Sequence, residues 1–275
     1  MKEIGLAKAT YGPMLFFTAD QVIGHALATT GQFQESKITE VVYFLTQRFN
    51  FAPELFVDIG ANIGTHLIFA LKNSAFARGV GLEPDPNNFS LLSANIAMHQ
   101  LCDRVLLKRI AVTDFQGVVE LEISESNYGD HRVRTVVDKN IISHGEENRQ
   151  VILVPATTID AVLKETGCYF SRTLVWIDTQ GHEGTILPSL LSAKTDPVSN
   201  GYVVMEFWPY GLHRNNNLQG VLNFLAQSKA VYDINRPNWQ NSPPISLDWL
   251  TNYYTDMLAA TRPDYYPHTD LLCIV

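Results

Sequence analysis

Short apolar runs alternate with stretches of helical period along most of the chain. The runs are Leu55–Ile59, Gly79–Glu83, Val105–Val112, Leu174–Asp178 and Tyr202–Phe207. Runs this continuous predict strands covered on both faces, as in a parallel sheet. Between the first two, Ile63, Leu67, Ala70 and Leu71 recur at helical spacing. After Glu83, Asp85 is placed to cap a helix starting at Pro86, where the missing proline N–H does no harm. Phe89, Leu92 and Ile96 mark its inner face, and Leu218, Val221, Leu222 and Leu225 mark another helix. The alternation predicts an α/β fold built on a doubly wound, mostly parallel sheet.

Two regions interrupt it. Residues 116–156 carry the strand-like Gly117–Ile123, a polar Asn127-Tyr128-Gly129-Asp130 turn and Val133–Val137, which predicts a β-hairpin inserted between the third and fourth strands. Residues 237–268 are rich in proline and aromatic rings and precede a last apolar run, Leu271–Val275. Ile38, Val41, Val42 and Leu45 fall on one helical face, so residues 1–52 are expected to form a mostly helical N-terminal cap. No linker is visible, and residues 53–275 are expected to form one elaborated domain with that cap.

Composition narrows the function. At 275 residues and 46% hydrophobic, the chain has apolar material for a full core without a disulfide or metal staple. A net charge of −8 argues against a partner bound through phosphates, so no nucleic acid is expected. Cys102, Cys168 and Cys273 lie far apart and form no CxxC pair, which indicates reduced thiols in a cytoplasmic protein. No secretory signal is apparent, and no window approaches eighteen apolar residues, so no membrane span is expected.

The most informative segment is Val57-Asp58-Ile59-Gly60-Ala61-Asn62-Ile63-Gly64, where a strand ends, turns through two glycines and enters a helix. Ligands of such sheets sit beyond the carboxyl ends of the strands. A dinucleotide fingerprint would require glycine at Asn62 and at Thr65. Asp58 at the mouth suits a cationic ligand better than a phosphate. Glu83 closes the second strand, 23 residues past Gly60, where a carboxylate grips a ribose diol. Glycine loop, asparagine and ribose acid point to an adenosine ligand without a diphosphate, S-adenosylmethionine. The alternatives are an ordinary strand-to-helix turn and a solvated Glu83.

At this point the chain resembles the FkbM family of S-adenosylmethionine-dependent methyltransferases. The matching segments are VDIGANIG (57–64), LEPDPNNFSLLSANI (82–96), IAVTDFQG (110–117), VPATTIDAVL (154–163) and IDTQGHE (177–183), so the likeness covers roughly residues 55–207. Gly24–Phe33 faintly resembles a segment ahead of the core in some members. The resemblance implies a Rossmann-like class I methyltransferase fold and, most often, O-methylation of a hydroxyl on a small-molecule or glycan acceptor. It assigns Asp58, Gly60, Asn62 and Gly64 to the methionine end of the cofactor and Glu83 to the ribose, with Ala61 and Pro84 inside the same motifs. Ala111–Asp114 would lie beside the adenine. One departure stands out: Thr179 and Gln180 replace the valine and glutamate usual in this family, and Gln180 cannot serve as a carboxylate base.

Methyl transfer to a hydroxyl needs alignment above all, and a base next. Asp178, at the end of the fourth strand, is the leading candidate for the positioning or base carboxylate, with Glu183 and Glu206 nearby and His182 as an imidazole alternative. The plainer readings are a helix N-cap for Asp178, a first-turn acid for Glu183, a solvated strand end for Glu206 and a hydrogen-bonding histidine for His182. Asp178 and Glu206 together are also candidate Mg²⁺ ligands, although no zinc pattern exists. Asn127–Arg132 could reach over the site, and the aromatic segment 237–268 could supply faces for an acceptor ring. Two other functions are carried: a dehydrogenase with a degenerate dinucleotide loop, and a cofactor-binding scaffold without turnover, the latter because of Gln180.

Overall fold

A computed structural model describes residues 2–135, 146–193, 199–262 and 265–275. The chain opens with a hairpin of β1 (Ile4–Ala9) and β2 (Gly12–Phe17), followed by α1 (Ile23–Thr30) and α2 (Glu35–Phe49). The expected helices of the cap are present as α1 and α2, but a two-stranded hairpin precedes them. Burial alternates along β1, where Ala7 and Ala9 are buried and Ile4, Leu6 and Lys8 exposed, while Met14, Phe16 and the strand-end Phe17 of β2 are buried.

The core then alternates as expected: β3 (Leu55–Ile59), α3 (Thr65–Asn73), β4 (Arg78–Leu82), α4 (Pro86–Met98) and β5 (Val105–Lys108). The Asp85 side chain accepts from the N–H groups of Asn87 and Asn88, and Pro86 occupies the first helical position. The apolar run 105–112 does not continue as one strand. It leaves the sheet after Lys108 and resumes as β6 (Ala111–Thr113) in a second sheet. That sheet adds β7 (Gly117–Ile123), β8 (Arg132–Val133) and β9 (Gln150–Thr158) in the order β6-β9-β7-β8. The inserted hairpin is thus one edge of a four-stranded sheet, and the longest partner of β7 is β9. Val136 and Val137, expected in the hairpin, lie outside the described residues.

The chain returns through α5 (Ile159–Thr166) to β10 (Thr173–Ile177), α6 (Glu183–Ala193), β11 (Tyr202–Phe207), α7 (Pro209–Arg214), α8 (Leu218–Leu225), β12 (Ala230–Asp233), α9 (Leu247–Ala260) and β13 (Thr269–Ile274). The main sheet runs β12-β13-β11-β10-β3-β4-β5. Strands β5, β4, β3, β10 and β11 are parallel, while β13 enters antiparallel beside β11. Strand order reverses between β3 and β10, which creates the crevice where ligands of open α/β sheets bind.

The sheet is covered on both faces. Phe56, Trp176, Val204 and Leu272 meet the N-terminal cap and α3 on one side. Val57, Val175, Val203 and Leu271 meet α5, α6 and α8 on the other. Because neighbours alternate along a strand, Asp58, Glu206 and Asp270 fall on the face under the cap. No helix among the described residues is long and apolar enough to cross a membrane.

Candidate active site

Two chambers open at the carboxyl ends of β3, β10 and β11, and they share Ile23, Phe33, Gly129 and Asp178. The first, about 730 Å³, is lined by Gly60, Ala61, Asn62, Thr65 and His66 from the glycine loop and α3, and by Glu83, Pro84, Ala111 and Val112 farther along. Gly60 has φ +85°, and a Cβ there would sit 1.9 Å from the Asp178 carbonyl oxygen, so only glycine lets β3 and β10 close at this crossing. Gly64, at φ +94°, starts α3.

Glu83 is buried, and its two oxygens accept from the N–H groups of Asn62 (2.9 Å) and Asp85 (2.8 Å). A carboxylate has about four lone-pair positions, so two remain for a diol. Burial pushes its carboxyl up to about 8, and the two N–H bonds work against that rise. Asp58 is 1% exposed, and neither carboxylate oxygen has a close hydrogen-bond partner, with only the Leu67 backbone N–H near enough to pull its carboxyl down. Burial, then the charge of Asp178, pushes it up to about 8. Asp58 lies one residue before the chamber lining begins at Ile59 and is not itself part of that lining, so it would act on a cationic ligand through its charge and not by direct contact. Asn62 sends its amide to the Tyr128 carbonyl (2.9 Å), and Asn88 does the same (2.8 Å). That double tie draws the β7–β8 loop over the chamber. The Asn62 side chain stands in the turn where a dinucleotide loop has a glycine and is tied to Tyr128, which argues against the dinucleotide alternative.

The second chamber, about 1200 Å³, lies beyond Asp178. Its floor carries Asp178 and Glu206, joined by Gln180, whose amide nitrogen donates to Asp178 Oδ1 (2.6 Å) and Glu206 Oε2 (3.2 Å). Gln180 adopts φ +56°, a left-handed backbone uncommon for glutamine. Burial raises Asp178, to about 6, against the pull of the Gln180 hydrogen bond; burial and the Asp178 charge raise Glu206 well above the carboxylate range. Two close acids that cannot both ionise readily hold one proton between them. The walls hold Arg132 and Arg149, both committed to Asp130 and Glu146, with Trp208 against the Arg132 guanidinium at 4.6 Å.

Several expected residues lie elsewhere. His182 is buried with Nε2 3.1 Å from Thr113 Oγ1, and burial pushes it down to about 4; it braces β6 instead of facing either chamber. Glu183 is buried at the start of α6, where it accepts from the N–H and hydroxyl of Thr179 (both 2.9 Å) and holds the 178–183 turn. Asp114 is exposed and does not line the first chamber, whereas Ala111 does. The amide of Gln180 occupies the gap between Asp178 and Glu206 that a metal would need. Among the described residues no group of three or more histidine, cysteine or acidic side chains is arranged around a metal position. Of the aromatic segment, Tyr266 and His268 line the second chamber. Trp239 packs on Phe44, and Tyr253 and Tyr254 pack on Phe207. Sequence reasoning assigned no role to Ile23, Phe33, His66 and Asn88, although Asn88 sat inside a matching motif and Phe33 closed the fainter Gly24–Phe33 likeness.

The family model described as the methyltransferase FkbM domain matches residues 58–229. The chain belongs to the FkbM methyltransferase family. Its α/β architecture is built on a mostly parallel central sheet, and S-adenosylmethionine is the cofactor this domain takes. Among solved structures it is similar to the methyltransferase FkbM of Methylobacillus flagellatus (17% identity, 84% of this chain and 46% of that one, TM-score 0.43). It is also similar to M. jannaschii TYW2 in complex with AdoMet (10%, 100% and 86%, 0.46) and to an O-methyltransferase from Bacillus cereus in complex with SAH (10%, 89% and 83%, 0.43). The chain thus spans less than half the length of the M. flagellatus protein. No curated protein matches it.

Proposed function

We propose that the protein methylates a hydroxyl group on a sugar or natural-product acceptor, with the first chamber holding the donor and the second the acceptor. The observation that carries this reading is Asp178, which lines both chambers at the neck they share. S-adenosylmethionine supplies an electrophilic methyl group on a sulfonium. Glu83 would clasp the ribose diol with its remaining lone pairs, the backbone at Gly60–Asn62 would follow the donor closely, and Asp58 would balance its positive charge.

At the neck, Asp178 would meet the acceptor hydroxyl and take up its proton when the methyl group is transferred. Alignment across the two chambers contributes up to about 7–11 kcal/mol, and a positioned base adds about 10²–10⁴-fold. Gln180, far from disabling the site, ties Asp178 to Glu206 and lowers Asp178 toward a value at which it is ionised near neutrality. Glu206 retains the shared proton and leaves one negative charge on the floor. Arg132 and Arg149 are already paired, so the chamber favours a neutral polyol over an anionic acceptor.

The test is incubation with methyl-tritiated donor and a panel of sugar, aliphatic and phenolic alcohols, with amines and carboxylic acids as comparators. Label on a hydroxyl, abolished by Asp178→Asn, is the expected result. Label confined to amines or acids overturns the acceptor assignment.

A further inference from the structure

His66 is the second residue of α3, immediately past the glycine loop, and it lines the first chamber at 7% exposure. Its Nε2 is buried and has no hydrogen-bond partner. The ring is fixed by packing: it stacks on Phe33 from the cap (6.1 Å, 26°) and meets Trp176 of β10 at 5.2 Å. Burial, reinforced by Lys37 and opposed by Asp270, pushes the imidazole down to about 4, so it is neutral at physiological pH and offers one N–H.

Position defines what that N–H would meet. Glu83, Pro84, Ala111 and Val112 form the end of the chamber on the β4–β5 side. His66 packs on Trp176 of β10, across β3 from β4, which places it at the opposite end. A donor whose ribose is at Glu83 therefore brings its amino-acid tail to His66. His66 lies in the first turn of the nine-residue α3, where the positive end of the helix dipole favours an anion. A buried polar atom without a partner is costly, and a ligand that supplies one recovers that cost.

We infer that His66 recognises the α-carboxylate of the donor's methionine portion by donating its Nε2–H, and that Phe33 of the N-terminal cap holds the ring in place for it. This inference rests on the reading of the first chamber as the donor site. It makes His66 a discriminator between intact donor and analogues that lack the carboxylate, a selectivity contributed jointly by the glycine-loop helix and the cap.

Calorimetric titration of the full chain with S-adenosylhomocysteine and with its decarboxylated analogue, S-adenosyl-3-thiopropylamine, separates the two readings. His66→Phe, which keeps an aromatic ring, should weaken S-adenosylhomocysteine about ten- to hundredfold and change the decarboxylated ligand less than twofold. His66→Gln, which keeps an N–H, should recover part of the loss. In the unaltered protein the ¹⁵N resonance of His66 Nε2 should shift with S-adenosylhomocysteine and stay in place with the decarboxylated ligand, a readout independent of whether either variant folds. Equal weakening of both ligands, or an unmoved Nε2 resonance, overturns the inference while leaving the donor site intact. An unaltered protein that binds neither ligand overturns the donor-site reading itself.

Discussion

Asp58 gives the donor-free protein a pH-dependent weakness that can be calculated. Its carboxyl is buried without a close partner and is pushed up to about 8, whereas in the unfolded chain it titrates near 3.9. Between those values the folded state holds a proton that the unfolded state has released, so stability falls as pH rises. The slope approaches 1.4 kcal/mol per pH unit, or about 2–3 kcal/mol from pH 6 to pH 8. At roughly 2 °C per kcal/mol for a chain of this size, Asp58 alone lowers Tm by about 5 °C across that interval. Glu83, raised to about 8, and Glu183, raised to about 7, act with the same sign. Asp58→Asn keeps the shape and removes the titration. Scanning calorimetry of both proteins without ligand should show Tm falling with pH in each, with the variant's decline smaller by about 5 °C. Parallel declines would refute the assignment of an orphaned, protonated acid at this position.

Gln180→Glu replaces the bridging amide with a third carboxylate, which raises Asp178; methyl transfer should be slower than in the parent at pH 6–7, with the gap closing at higher pH, read from kcat/KM against pH. Gly60→Ala forces a Cβ to 1.9 Å from the Asp178 carbonyl oxygen at φ +85°, and should cost about 3 kcal/mol or more, read as a lowered Tm or loss of soluble protein. Arg132→Met strips the buried guanidinium from Asp130 and Glu146; with Arg149 and Arg214 still nearby, the cost should be about 2–3 kcal/mol in urea unfolding.

The parallel strands and the α4 cap were legible because each signal is local. A doubly buried strand must be apolar throughout, and Asp85-Pro86 needs only its own turn. The N-terminal hairpin was hidden because β1 carries alanine and lysine, which are weak strand formers, and its pairing is supported by packing against α1 and α4. The second sheet was misread as a simple hairpin because β7 finds its main partner, β9, across a long intervening segment that local patterning does not reveal. The run 105–112 looks continuous, yet its two halves serve different sheets.

The site divides along the same line. Glycines and Glu83 announce themselves by type and spacing, and Gln180 by standing where a family acid is usual. His66 and Phe33 give no such sign: a lone histidine on a helix and a phenylalanine in a cap become neighbours only when the cap folds over β10. His182 and Glu183 had the right chemistry next to Asp178, but the left-handed turn at Gln180 and Gly181 directs them into bracing bonds.

A crystal structure of the protein with S-adenosylhomocysteine tests the central claim most directly. The ribose hydroxyls should lie on the Glu83 carboxylate and the sulfur beside Asp178, facing the chamber floored by Glu206. Ligand seated in the larger chamber, or a first chamber empty at saturating concentration, would contradict the account.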